Sequence, residues 1–313
     1  MRTAFVLVSA SLLGLAAEAQ VPIQWSSNLD RSFTNAQRSL RPLLFYVPAT
    51  NAGAEDDLDD AQQRVFRDPL IVGLVGERFV PVRVSRSTTS LPFLRSVGAP
   101  TLYGGYLLVV APSGEPVGVI GPAAAANPSA LARALTARFR EYRTALFKDQ
   151  YQELLEDPGA APAAIERALR VVREFIITAA DDSVLKLLQR RNLPANLRTV
   201  AYETLAILST PRSIDALFTA ARSRQQPAVR ALARATPAAI ERLLPELELD
   251  NEPGRLATAY SAVAAIARVP NPRPARFWNS DNERVKEREL ERVRAGAESA
   301  LQAWAAQPTT ELR

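Results

Sequence analysis

No cysteine and no histidine occur among the 313 residues. Disulfides, thiol redox chemistry and metal sites built on thiolate or imidazole are therefore excluded, and so is any mechanism with histidine as general base. Carboxylate, lysine, tyrosine and hydroxyl groups remain for catalysis, and lysine is scarce: three of the 38 basic residues, the others being arginine. Beyond the first 20 residues no apolar run approaches the ~20 residues that a membrane-crossing helix needs. A concentrated basic stripe is also missing. Residues 20–127 carry nine arginines against nine acids, and residues 128–313 carry 28 basic against 23 acidic side chains, which places the whole net charge of +5 in the second half. Spread over helices, that surplus argues against nucleic acid as a partner.

What is present begins with a leader. Met1-Arg2 is a short positive start, Ala4 to Ala17 is apolar, and Ala17-Glu18-Ala19 fits a small-x-small cleavage pattern with Gln20 as first mature residue. The apolar stretch is too short to span a bilayer, so residues 1–19 are expected to be a signal peptide and the mature chain an exported one, periplasmic or extracellular. The remaining length suggests two domains. Without cysteine, an exported fold of this size holds by packing alone.

Residues 20–148 read as alternating strands and helices. Ile23-Gln24-Trp25 suggests a short leading strand. Ser26-Ser27-Asn28 offers a cap, and Leu29, Phe33, Ala36 and Leu40 recur at helical spacing, predicting a helix over 28–40. Leu43 to Val47 is apolar on both faces, as a covered central strand would be. A loop over 48–57 leads to a helix from about Asp57 to Arg67, then a short apolar helix over 70–75 and a strand over 79–84 in which Pro81 requires an edge or an irregular pairing. Residues 106–111 and 117–120 form a hairpin through Pro112-Ser113-Gly114-Glu115. Asn127-Pro128 opens a long helix with Leu131, Leu135, Phe139, Tyr142 and Leu146 on one face.

From about Asp149 convincing strands stop, and Ala, Leu and Arg recur at helical spacing. Pro162-Ala163-Ala164-Ile165-Glu166-Arg167 returns as Pro237-Ala238-Ala239-Ile240-Glu241-Arg242, and Thr-Pro-x-x-Ile occurs at 210 and 236. Unit spacings of about 25–32 residues lie near helical-repeat periods. An array of helix pairs is expected over 149–313, with an irregular bundle as the alternative.

The order Leu43–Val47, then Val65-Phe66-Arg67-Asp68-Pro69, Phe79–Val84, Ala99-Pro100-Thr101 and Leu107–Val110 resembles a thioredoxin-fold domain of the exported type. The resemblance covers roughly residues 23–148. It implies a cis bond before Pro100, and it would set the family's Cys-x-x-Cys near Glu55 and Leu58, where no thiol stands. Tyr103-Gly104-Gly105 looks inserted. In the second half, Arg198-x-x-Ala201-x-x-x-Leu205 and the Pro-led second helices resemble degenerate HEAT-type repeats. The fold class expected is thus an α/β thioredoxin-like domain followed by an all-α, HEAT-like domain.

Several residues invite a functional reading. Glu55, Asp56, Asp57, Asp59 and Asp60 crowd a helix start, where carboxylates are favoured by the macrodipole; a calcium site is the sharper alternative, though the spacing and glycine of a known calcium loop are missing. Trp25, Tyr46, Tyr103 and Tyr106 either belong to the core or line a groove near Pro100 and Thr101 that accepts an extended peptide. Phe277-Trp278 sits in a Pro-rich break and either plugs the array or projects as a binding element. No catalytic set, cofactor or firm metal site emerges. The sequence therefore predicts a redox-inactive module that binds a protein or peptide, with a carboxylate-based enzyme on the same scaffold, or a holdase for exported chains, as the alternatives.

Overall fold

The computed structural model describes residues 22–48, 56–84, 91–96, 105–280 and 282–306, with the side chains of 56–60 and of Leu91 outside that description. The fold is an α/β unit with one small mixed sheet, followed by helices, and is 67% helical. Helix α1 (Leu29–Ser39) starts where the Asn28 side chain accepts the Arg31 N–H at 2.9 Å, and it ends at Leu40 in the left-handed region. Strand β1 (Leu43–Val47) follows, then α2 (Asp56–Val65), α3 (Pro69–Arg78), β2 (Val80–Arg83), α4 (Leu91–Ser96), β3 (Tyr106–Val110) and β4 (Pro116–Ile120).

The sheet order is β2-β1-β3-β4, with β2 parallel to β1, β3 antiparallel to β1 and β4 antiparallel to β3. Pro81 lies on the edge strand, where its missing N–H costs no ladder bond. The expected leading strand shrinks to one bridge at Ser26, which donates to Pro81 O and accepts from Arg83 N–H along that edge. The β3–β4 turn places Gly114 at φ +94°, a conformation that any side chain would strain.

Strand alternation sorts β1 onto two faces. Leu43, Phe45 and Val47 pack with Ala36, Val82 and Leu108 under α1. Leu44 and Tyr46 face the other way, into a core shared with α3 and with α6 (Pro128–Gln150), which follows the short α5 (Pro122–Ala125). The predicted stripe of α6 is buried as expected. That core does not stop at Asp149. It runs on through α7 (Gln152–Glu156), α8 (Pro162–Glu174), α9 (Asp181–Leu188), α10 (Ala195–Leu208), α11 (Pro211–Arg222), α12 (Gln226–Leu232), α13 (Ala238–Leu243), α14 (Pro253–Ile266) and α15 (Glu283–Ala305). The change of composition near 149 is thus not a break in packing.

Helices α8, α10 and α12 lie side by side, and α9, α11 and α13 neighbour one another along a second row. Two hydroxyls and a buried carboxylate pin the second row. Asp181 accepts the Thr210 hydroxyl at 2.7 Å and also the Ser213 hydroxyl, while Thr210 caps α11. The repeated Pro-Ala-Ala-Ile-Glu-Arg block begins a helix in both places, yet α13 is only six residues long. Pro245 has no N–H to continue it, and the chain tightens into a 3-10 turn. Among the described residues no strand occurs after β4, and no helix is long and apolar enough to cross a membrane.

Candidate binding groove

The sequence-predicted site residues scatter. Glu55, Pro100, Thr101 and Tyr103 lie outside the described residues, as does the bond expected to be cis. Asp56, Asp57, Asp59 and Asp60 open α2, with side chains outside the description, and no metal-holding group of carboxylates occurs among the described residues. Tyr106 is 2% exposed. Strand alternation turns it to the α1 face with Phe45 and Val110, so it supports the sheet and offers no groove surface to a peptide.

Tyr46 and Trp25 are in an aromatic cluster with Phe66, at centroid distances of 5.0–5.7 Å. The Tyr46 hydroxyl donates to Gln62 Oε1 at 3.2 Å, and Gln62 Nε2 donates to the Gly105 carbonyl at 2.9 Å. Gln62 is wholly buried. Exchanging it for leucine leaves the Gly105 carbonyl without this donor, an expected loss of about 1–3 kcal/mol in urea unfolding; Tyr46→Phe is expected to cost less.

Of the two readings of Phe277-Trp278, the burial of Trp278 fits the plug and not the projecting element. Trp278 is 1% exposed, 4.6 Å from the Tyr260 ring and edge-on to Phe277. Phe277 is half-buried, with the Arg273 guanidinium over its ring. The pair closes the α14–α15 corner because the Pro-rich chain between those helices has no regular packing of its own. A polar network ties the corner down. Tyr260 donates to Glu289, Arg292 bonds the same carboxylate and also donates to Pro270 O at 2.7 Å, and the Arg273 N–H donates to the Tyr260 oxygen. Burial pushes the Tyr260 phenol up, helped by Glu289. Burial alone would raise the Glu289 carboxyl too, but Arg292, Tyr260 and nearby positive charge outweigh it and hold the group below the ordinary carboxylate value.

A cavity of about 290 Å³ marks the seam between the sheet unit and the helices, lined by Arg41, Arg78, Phe139 and Arg143. Arg143 is buried and donates to the Phe175 carbonyl at 2.9 Å, while Arg41 donates to Gly76 O at 2.7 Å. Burial first, then the charges of Arg78 and Arg140, lowers the Arg143 pKa to about 10. These arginines cap the ends of α8 and α3, a structural task that joins the two halves.

One open feature of the helical half is a groove of about 550 Å³ across α8, α10 and α12. Its floor is Ala206, Ile207, Pro227 and Ala231, and its rim carries Arg173, Glu203, Arg230 and Arg234. Arg173 and Glu203 pair at 3.0 Å between α8 and α10. Sequence reasoning missed this site because its walls come from three helices that no single motif spans; the available signal was Arg230 and Arg234, four residues apart in an alanine-rich stretch. Comparisons with family models, with curated proteins and with solved structures find no match for this chain.

Proposed function

We propose that the chain is an exported, redox-inactive module that binds a protein or peptide through its helical half, with a thioredoxin-like α/β unit as packing partner and HEAT-like helix pairs as the binding array. The order of strands and helices supports the first resemblance, and the two rows α8-α10-α12 and α9-α11-α13 support the second. The groove across α8, α10 and α12 carries the reading: an apolar floor with a charged rim is the form that recognises a segment of another chain. Binding is favoured over carboxylate chemistry because Asp181 and Glu289, the buried carboxylates of the described residues, are both engaged in hydrogen bonds that hold helices together.

Retention of envelope proteins on the immobilised chain tests this. Wild type is expected to hold a specific partner, and Ile207→Trp, which fills the groove from a half-buried position, is expected to release it. Equal retention by both would remove the groove from the account. A holdase role would instead appear as suppressed aggregation of an unrelated unfolded protein. Amino-terminal sequencing of the protein from its native host is expected to begin at Gln20; a start at Met1 would overturn cleavage.

A further inference from the structure

The two helix rows treat their arginines differently. Along the second row each arginine bridge crosses to the next element: Arg212 to Asp182, Arg242 to Asp215 at 2.7 Å, and Arg222 to Glu252 at 2.9 Å. Along the first row Arg173 bridges to Glu203. The ladder stops there. Arg230 on α12 and Arg234 in the turn after it stand exposed on the groove rim, and among the described residues neither meets a carboxylate. The groove therefore has one internal pair and two uncompensated positive charges beside an apolar floor of small side chains.

We infer that this groove takes an acidic segment of a partner protein, with small apolar side chains seated on Ala206, Ile207 and Ala231 and carboxylates set against Arg230 and Arg234. The inference rests on the binding reading above and names its ligand class. Charge complementarity selects the occupant. A basic segment would add like charge to the rim, and a neutral one would leave two guanidinium groups partly desolvated without partners. Arg230 sits on α12 and Arg234 in the turn that follows it, and both line the same groove. In an extended segment alternate side chains point to opposite faces, so one that alternates acidic with small apolar residues keeps the two kinds of contact apart. Arginine also suits a bidentate grip on carboxylate.

The test uses the full chain and fluorescein-labelled peptides of about twelve residues that alternate Glu with Ala and Ile, together with the same peptides carrying Gln or Lys for Glu. Anisotropy is expected to show binding of the Glu peptide that weakens with added salt, and roughly tenfold or weaker binding of the Gln peptide. The Arg230→Glu, Arg234→Glu double variant is expected to keep its thermal midpoint, lose the Glu peptide by about tenfold or more and gain the Lys peptide. Equal binding of Glu and Gln peptides, or no effect of the double reversal, would overturn the acidic class. If Ile207→Trp blocks a Gln peptide that the reversal leaves unaffected, the groove binds but its selectivity is not for acid. Glu-peptide binding that survives Ile207→Trp would overturn seating in the groove. If no peptide binds and Ile207→Trp also leaves retention from envelope extract unchanged, the binding reading falls with the inference.

Discussion

Trp278→Ala is expected to destabilise the carboxyl-terminal helices by about 3–5 kcal/mol, the range for removing a buried large aromatic. Trp278 is 1% exposed and fills the corner between α14 and α15 against Tyr260 and Phe277. Alanine leaves a cavity that these elements cannot collapse into, because the Glu289 network fixes Tyr260 from the other side. The damage should be local. Opening free energies differ from one part of a structure to another, so hydrogen exchange in α14 and α15 is expected to accelerate by about two to three orders of magnitude while α6 stays protected. Trp278→Phe offers an internal control. The Trp278 indole N–H is buried with no hydrogen-bond partner, so phenylalanine loses contact area but also removes an unsatisfied donor. Its cost is expected to be under about half that of alanine. Equal costs for the two variants would mean that the corner is not held by packing on Trp278.

Glu289→Gln carries the second large effect. The carboxylate is 8% exposed and gathers the Tyr260 hydroxyl, the Arg292 guanidinium and, at 3.8 Å, Arg273. Glutamine keeps the shape but not the charge, so two arginines lose their counter-ion beside a buried phenol. Removing one member of a fully buried pair costs about 3–5 kcal/mol. Because Arg292 and Arg273 are partly solvated and Arg292 keeps the Pro270 carbonyl, about 2–3 kcal/mol is expected here. The pH dependence has a fixed sign. The folded carboxyl is held below its ordinary value of 4.5, so its contribution is complete above that pH and is lost as pH falls through the lowered folded value. The difference between wild type and Glu289→Gln in urea unfolding is therefore expected to be full at neutral pH and to shrink in acid below about 4.5. A difference that grew in acid would contradict the network.

Much of the sheet unit is legible in the sequence because its signals are local. The doubly apolar run Leu43–Val47 becomes the buried β1 with no shift of boundary, Pro81 lands on the edge, and the α6 stripe from Leu131 to Leu146 faces the core. Other features depend on contacts distant in sequence. Ser26 rather than Trp25 meets the sheet, since pairing there is fixed by Pro81 and Arg83. The face taken by Tyr106 follows from the register with Val47, which no run of residues reveals alone. The shift in composition at Asp149 suggests a boundary, but α6 buries Phe139 against Phe79 and Phe175 together and carries one core across it. The groove was the least legible feature, because it exists only once α8, α10 and α12 lie side by side.

The most direct test of the account is site-specific photo-cross-linking in envelope extract. A photoreactive phenylalanine analogue replaces Thr199, which lines the groove beside its floor, in one version of the chain and the exposed Glu141 of α6 in another. The account predicts a discrete adduct from position 199 that excess acidic peptide removes, and none from position 141. The same adducts from both positions, or an adduct at 199 indifferent to the peptide, would contradict it.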